Sequence, residues 1–304
     1  MKVGVIGTGN MGENHVRTYL SMQEHCQLIG VFDNDPEKGR QISDKYQVKQ
    51  FQSLPNLLQA VDAVSIAVPT EFHYDIGLLC MDHKVHILME KPITDTVPQA
   101  KELTLKAEEA GIKLQVGHIE LFNPLINMIR KELEHEKIIG MDFHRMSPYH
   151  EKIKNVDVVK DLMIHDLYIL QEILQDDELL DFYTMGKIIE NTPKHASVIT
   201  RSAEGVIGKL TASFKSKRKV RTIQILTENA FIEADILKNE INVTRDTITQ
   251  TIQITSDEQP LEIQLTDFLN CIKSDLTPSV SGKAGIAALK TTNEISRAIM
   301  EDQI

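Results

Sequence analysis

Along the first 118 residues, short apolar runs alternate with longer stretches of mixed composition. The runs are Val3–Ile6, Leu28–Phe32, Ala63–Val68, His86–Met89 and Leu114–Val116. Gly12–Met22, Glu37–Gln47, Glu71–His83 and Thr96–Ala110 lie between them and have helix-like composition. Strands that are apolar throughout, rather than alternating, are covered on both faces, and helices between them make them parallel neighbours. The pattern predicts a doubly wound parallel α/β domain.

The rhythm changes after Gly117. Asn123-Pro124 opens a predicted helix to about Lys137, with Pro124 suited to its first turn. A strand, Met141–Met146, and a helix, Val158–Leu174, follow. From about Leu180 to Thr255 the chain is β-rich, with strands predicted at Ala196–Arg201, Val206–Phe214, Thr222–Leu226, Ala230–Ala234 and Ile248–Ile254. Strands at this spacing without intervening helices predict a large, mostly antiparallel open sheet in an α+β domain. Helices return at Gln264–Ser274 and Ala284–Glu301. The expected domains are 1–120 and 121–304, with the C-terminal helices as candidates to pack back on the first domain.

A chain of 304 residues accommodates two such cores. Its net charge of −11 argues against general affinity for nucleic acid or acidic membranes, although a small anion in a locally basic pocket is compatible with it. No run of about 18 apolar residues implies a membrane span. The segment Met1–Gly7 reads as a buried strand rather than a signal peptide. Cys26, Cys80 and Cys271 are odd in number and lack metal-ligand spacing, which fits reduced thiols in a cytoplasmic protein. No metal site is expected.

Gly7-Thr8-Gly9-Asn10-Met11-Gly12 follows the first strand and opens the first helix. Gly7 permits a tight turn, Gly9 leaves room for a pyrophosphate, and Gly12 lets helix and strand pack closely. The free N–H groups of the helix N-terminus, from Asn10 and Met11 onward, suit phosphates. Asp33 ends the second strand about 20 residues on, where it can accept from ribose hydroxyls and repel a 2′-phosphate. This predicts a Rossmann domain that binds NAD in preference to NADP.

Two further stretches join this loop: Val68-Pro69-Thr70-Glu71-Phe72-His73 and Glu90-Lys91-Pro92, both at carboxyl ends of predicted parallel strands. Together they resemble the glucose–fructose oxidoreductase/inositol dehydrogenase (Gfo/Idh/MocA) family, which carries P-T-x-x-H and E-K-P motifs. The resemblance runs over essentially the whole chain. It implies cofactor contacts from Pro69, Thr70, His73, Glu90 and Lys91, and a cis bond before Pro92. It also makes Lys91 a catalytic cation able to stabilise developing alkoxide character on a substrate.

In the predicted helix around residue 165, Asp161, His165, Tyr168 and Glu172 fall within an arc of roughly 60° at about 100° per residue. The rest of the circumference is mostly apolar, and Asp166 faces away. Asp161 and His165, at i and i+4, are side by side. A histidine beside a carboxylate can serve as a general base near neutral pH, although it is also a common structural arrangement. The family has a D-x-x-x-H catalytic pair, and Asp161 and His165 match it.

Gly117-His118-Ile119-Glu120-Leu121-Phe122-Asn123-Pro124, Arg145-Met146-Ser147-Pro148 and Asp157–Asp166 are similar to the branch of the family containing UDP-N-acetylglucosamine 3-dehydrogenases. His118 and Arg145, which lie in these stretches, and Tyr168, which shares the polar stripe of the helix, are the candidate sugar contacts. Lys217-Arg218-Lys219-Val220-Arg221 is the densest basic cluster and suits a diphosphate, but it also suits a sheet edge protected by charge. Leu121, Lys160 and Tyr168 depart from the branch, which has arginine, an apolar residue or glycine, and often aspartate there. The expected activity is NAD-dependent oxidation of a secondary sugar hydroxyl, with a nucleotide sugar favoured. A polyol or free-sugar dehydrogenase, a reductase, a redox-neutral NAD-using hydrolase and a non-catalytic NAD(H)-responsive regulator are the alternatives. Family members commonly associate through the open sheet, which implies a homodimer or homotetramer.

Overall fold

Five strands of the first unit lie in the order β2-β1-β3-β4-β5, all parallel: β1 (Lys2–Ile6), β2 (Gln27–Phe32), β3 (Ala63–Ile66), β4 (His86–Glu90) and β5 (Leu114–Gly117). This is a computed structural model that describes residues 1–175, 181–256 and 258–302. The chain forms two units, Met1–Ile119 with Glu258–Ile286, and Glu120–Asp257 with Ala287–Ile304.

Every residue of β3 is buried, as expected for a strand covered on both faces. The helices of this unit are α1 (Asn10–Ser21), α2 (Pro36–Tyr46), α3 (Leu54–Leu58), α4 (His73–Asp82) and α5 (Val97–Glu109). Their ends follow local chemistry. The Asp35 side chain accepts from the Glu37 and Lys38 amides at the start of α2, and Thr96 and Gln99 cap α5 reciprocally. From β1 the chain turns to β2 on one side, and β3 then pairs on the other. The carboxyl ends of β1 and β3 therefore form a topological switch point, where open α/β sheets bind ligands.

The second unit contains α6 (Pro124–Glu132), β6 (Ile138–Met146), a π-helical turn (Val159–Met163) and α7 (Ile164–Leu174). Next come β7 (Asp181–Ile189), β8 (Thr192–Arg201), β9 (Ile207–Ser213), β10 (Val220–Thr227), β11 (Phe231–Asp235), β12 (Glu240–Arg245) and β13 (Ile248–Gln253). They form one sheet in the order β13-β12-β11-β10-β6-β9-β8-β7. All its pairings are antiparallel except β6 with β9. The expected start of the β-rich stretch, Leu180, lies outside the described residues.

One face of this sheet is core: Phe143, Val198, Leu210, Ile225, Ile232 and Ile241 are buried. Gly208 lets α7 approach β9, since a Cβ there would lie 3.1 Å from Leu170. The opposite face leaves Tyr183, Met185, Ile199, Ile207 and Leu226 exposed.

Two helices close the chain, α8 (Pro260–Lys273) and α9 (Gly282–Glu301). The sequence places α8 within 121–304 as a candidate to pack back on the first domain, and it belongs to the first unit. Its Leu261, Leu265, Phe268 and Leu269 complete the apolar core around Val5, Val16 and Tyr19. Among the described residues, no helix is long and apolar enough to cross a membrane.

Candidate active site

The glycine loop stands at the switch point of the first unit. Gly7 has φ +88°, and a Cβ there would lie 2.6 Å from the Ala67 carbonyl oxygen. A Cβ on Gly12 would collide with the Gly7 carbonyl oxygen, whereas one on Gly9 would meet nothing within 4 Å. Gly9 caps α1 with no side-chain bond, so the first-turn N–H groups of Asn10, Met11 and Gly12 are not covered by a capping side chain. A cavity of about 470 Å³ opens beside them, lined by Gly7, Gly9, Asp33, Val68, Pro69 and Phe72 among others. Open space over Gly9, a helix N-terminus and an apolar slot fit a dinucleotide.

Asp33 also braces this loop. Its Oδ2 accepts from the Thr8 amide and the Thr8 hydroxyl, both at 2.7 Å, and its Oδ1 accepts from the Asp35 amide at 2.8 Å. A carboxylate offers about four acceptor positions, so capacity remains on Oδ1 for a ribose hydroxyl.

Pro69 is exposed and Thr70 half-buried at the mouth of the cavity, but His73 is buried behind them. Its Nδ1 lies 2.9 Å from the Pro92 carbonyl oxygen and its Nε2 3.0 Å from that of Val68. Burial holds its pKa below the ordinary histidine value. The ring expected to touch the cofactor is instead buried between two loops, with one N–H to donate to one of their carbonyls. The Lys91–Pro92 bond is cis. Glu90 is buried, and Lys91 is half-buried.

His15, which the sequence reading passed over, holds Glu90 from behind. Its Nε2 lies 3.0 Å from Glu90 Oε1 and its Nδ1 2.9 Å from Ser65 Oγ, which in turn lies 2.9 Å from Tyr19 Oη. A carboxylate only accepts, so Nε2 carries the proton and Nδ1 accepts from Ser65. The remaining bond then runs from the Tyr19 hydroxyl to Ser65. Its one signal in the sequence is a histidine one turn after Gly12. His118, just beyond β5, is 1% exposed. Burial first, and the charge of Lys91 second, push its pKa down to about 3, so its ring is neutral.

In the second unit the π turn replaces the start of the expected continuous helix. Asp157 begins it, with Oδ1 accepting from the Val159 amide at 2.8 Å and Oδ2 accepting from the Ser296 hydroxyl. A π turn is wider than an α turn and recurs at functional sites. Asp161 and His165 are half-buried, while residues 162–164 and 166–171 are buried. The polar stripe is therefore narrower than the helical wheel implies. Tyr168 is 3% exposed, with its Oη 2.6 Å from His165 Nδ1. Glu172 pairs with Arg130 at 3.0 Å.

Arg145 does not extend toward a ligand space. It is 1% exposed, with Nε donating to Asp166 Oδ1 at 2.9 Å and Nη1 donating to Glu120 Oε1 at 2.8 Å. Arg221 donates to the same Glu120 oxygen at 3.1 Å. Burial would raise the pKa of Glu120, but Arg145 and Arg221 outweigh it and hold the carboxyl below its usual value. For Asp166 burial outweighs the attraction of Arg145, and its pKa is raised. Leu121 is buried, and Lys217, Arg218 and Lys219 are exposed between β9 and β10.

Residues 1–118 match the model of the GFO_IDH_MocA family, described as oxidoreductases with an NAD-binding Rossmann fold. UDP-N-acetylglucosamine 3-dehydrogenase of Acidithiobacillus ferrooxidans is 28% identical over 312 residues, covering 98% of this chain and 97% of that protein. A solved structure of that enzyme superposes with a TM-score of 0.93, covering 99% of this chain and 98% of the other. A levoglucosan dehydrogenase in complex with NADH and levoglucosan shares the fold at TM-score 0.89 and 15% identity, covering 99% of this chain and 98% of the other.

Proposed function

We propose that this chain is an oxidoreductase of the Gfo/Idh/MocA family acting on CH–OH groups, and that it oxidises a secondary hydroxyl of a nucleotide sugar such as UDP-N-acetylglucosamine, with NAD as cofactor. One observation carries this reading: the similarity to the A. ferrooxidans enzyme spans almost the full length of both chains in sequence and in fold.

When bound, the nicotinamide dinucleotide supplies the hydride acceptor. Asn10, Met11 and the glycines of the loop take its pyrophosphate. The Asp33 carboxylate accepts from the adenosine ribose and disfavours a 2′-phosphate by charge. Lys91 donates to the substrate oxygen and stabilises its alkoxide character. His165 takes the hydroxyl proton, and Asp161, four residues earlier, orients the substrate or the imidazole. His118, buried and neutral near Lys91, shows no exposed ring face to a substrate, so it acts from behind the site. The exposed basic run between β9 and β10 suits the diphosphate. Two or four copies associate through the open sheet face carrying Tyr183, Met185, Ile199 and Ile207.

The test is to incubate the protein with NAD and a panel of nucleotide sugars, free sugars and polyols, following reduced-nicotinamide absorbance, with His165→Ala in parallel. Turnover of UDP-N-acetylglucosamine that is lost in the variant supports the reading. Turnover of a polyol alone keeps the chemistry and removes the nucleotide-sugar assignment. Tight NAD binding with no turnover points to a regulator.

A further inference from the structure

Tyr168 lies three residues beyond His165, and the two rings meet edge to face, with centroids 5.6 Å apart and planes at 71°. The polar contact is the hydroxyl oxygen at 2.6 Å from Nδ1. Buried, and near the Glu120 carboxylate, the phenol keeps its proton far above the usual tyrosine range. The oxygen facing His165 is therefore neutral.

A neutral imidazole has one N–H and one lone pair, and the partner of one nitrogen decides which nitrogen carries which. A proton-accepting histidine needs its lone pair on the nitrogen offered to the substrate. We propose that Tyr168 is the positioning residue of His165: its phenol oxygen accepts from the Nδ1–H, which leaves the lone pair on Nε2 as the proton acceptor. The inference rests on the reading of His165 as the base. When the substrate O–H bond breaks, an N–H bond forms at Nε2. The resulting imidazolium retains its Nδ1–H bond to Tyr168, so no second proton has to move. A carboxylate below the ring would hold the proton more tightly by adding charge, whereas the phenol fixes the tautomer and the aim of the ring without that charge.

The experiment is long-range ¹H–¹⁵N correlation of histidine-labelled protein, without substrate, above the histidine titration range. His165→Gln identifies the resonance. The expected wild-type signal is the Nδ1–H tautomer. Tyr168→Phe keeps the ring volume and should shift His165 toward the Nε2–H form that free histidine prefers. It should also lower kcat about 10- to 100-fold while leaving the KM for NAD unchanged. A wild-type Nε2–H signal, with Tyr168 donating to Nδ1, overturns the proposal, and that spectrum decides even if the variant does not fold. An Nδ1–H signal lost in Tyr168→Phe, in a protein that oxidises no sugar, leaves the tautomer assignment standing and removes the proposed activity.

Discussion

His73 Nδ1 lies 2.9 Å from the carbonyl oxygen of Pro92, which ties the first turn of α4 to the turn carrying Lys91. The other ring nitrogen faces the Val68 carbonyl oxygen at 3.0 Å. Both oxygens only accept, and burial favours the neutral ring, which has one N–H to give. His73→Ala removes that bond and opens a cavity, so it should destabilise the protein by roughly 2–4 kcal/mol. NAD affinity should fall as well, because the ring no longer fills the space between the Val68 and Pro92 loops. Urea unfolding and NAD titration measure the two effects. Unchanged midpoint and affinity would mean that the ring does not join the loops.

His118 gives the stability a pH dependence of known sign. Its pKa is about 3 in the fold and 6.5 when unperturbed. Above about pH 6.5 both states are neutral and the full stability is present. As the pH falls from there toward about 3, only the unfolded chain takes up the proton, so stability falls by about 1.4 kcal/mol per pH unit. His118→Asn should flatten this slope. Urea midpoints at about pH 7.5 and about pH 5.5 would show a smaller difference for the variant than for wild type. Equal differences would mean that His118 is protonated in the fold.

The expectation that Arg145 touches a sugar gives way to a buried ion cluster, and this is testable. Arg145→Met leaves Glu120 and Asp166 without their shared partner and should cost roughly 3–5 kcal/mol. Adding Asp166→Asn should restore part of the loss. Thermal melts of the single and double variants decide: additive losses would mean that the two side chains are not coupled.

The apolar runs of the first 118 residues were legible because a doubly covered parallel strand is apolar on both faces at most of its positions. The glycine loop was legible because its three glycines each answer a separate steric demand. α3 escaped notice because five residues are too few to show a period. β12, with the sequence EINVTR, escaped because its exposed face is polar and its apolar face holds only two residues. The π turn at Val159–Met163 could not be read from a helical wheel that assumes one fixed turn. The partners of His15, Ser65 and Glu90, lie 50 and 75 positions away, so no local pattern announces them. Long-range side-chain pairing of this kind appears only once the sheet order is known.

Lys194 occupies a cage made for a cation. Its ammonium donates to the carbonyl oxygens of Ile153 and Lys154, each at 2.8 Å, and of Val156 at 2.7 Å, with the Thr192 hydroxyl as a fourth neighbour. This segment leads directly into Asp157 and the π turn that carries Asp161, so the lysine sets how the chain enters the turn. Lys194→Ala takes the ammonium donor away from the carbonyl oxygens and should destabilise the protein by roughly 2–4 kcal/mol. A small monovalent cation presents the same charge to the same oxygens. Potassium or ammonium chloride should therefore raise the melting temperature of Lys194→Ala more than sodium chloride does, and more than it raises that of wild type. Lys194→Met fills the space with an apolar chain and should show no such preference. If Lys194→Ala responds to the three salts alike, the lysine contributes packing and not the charge of a bound cation.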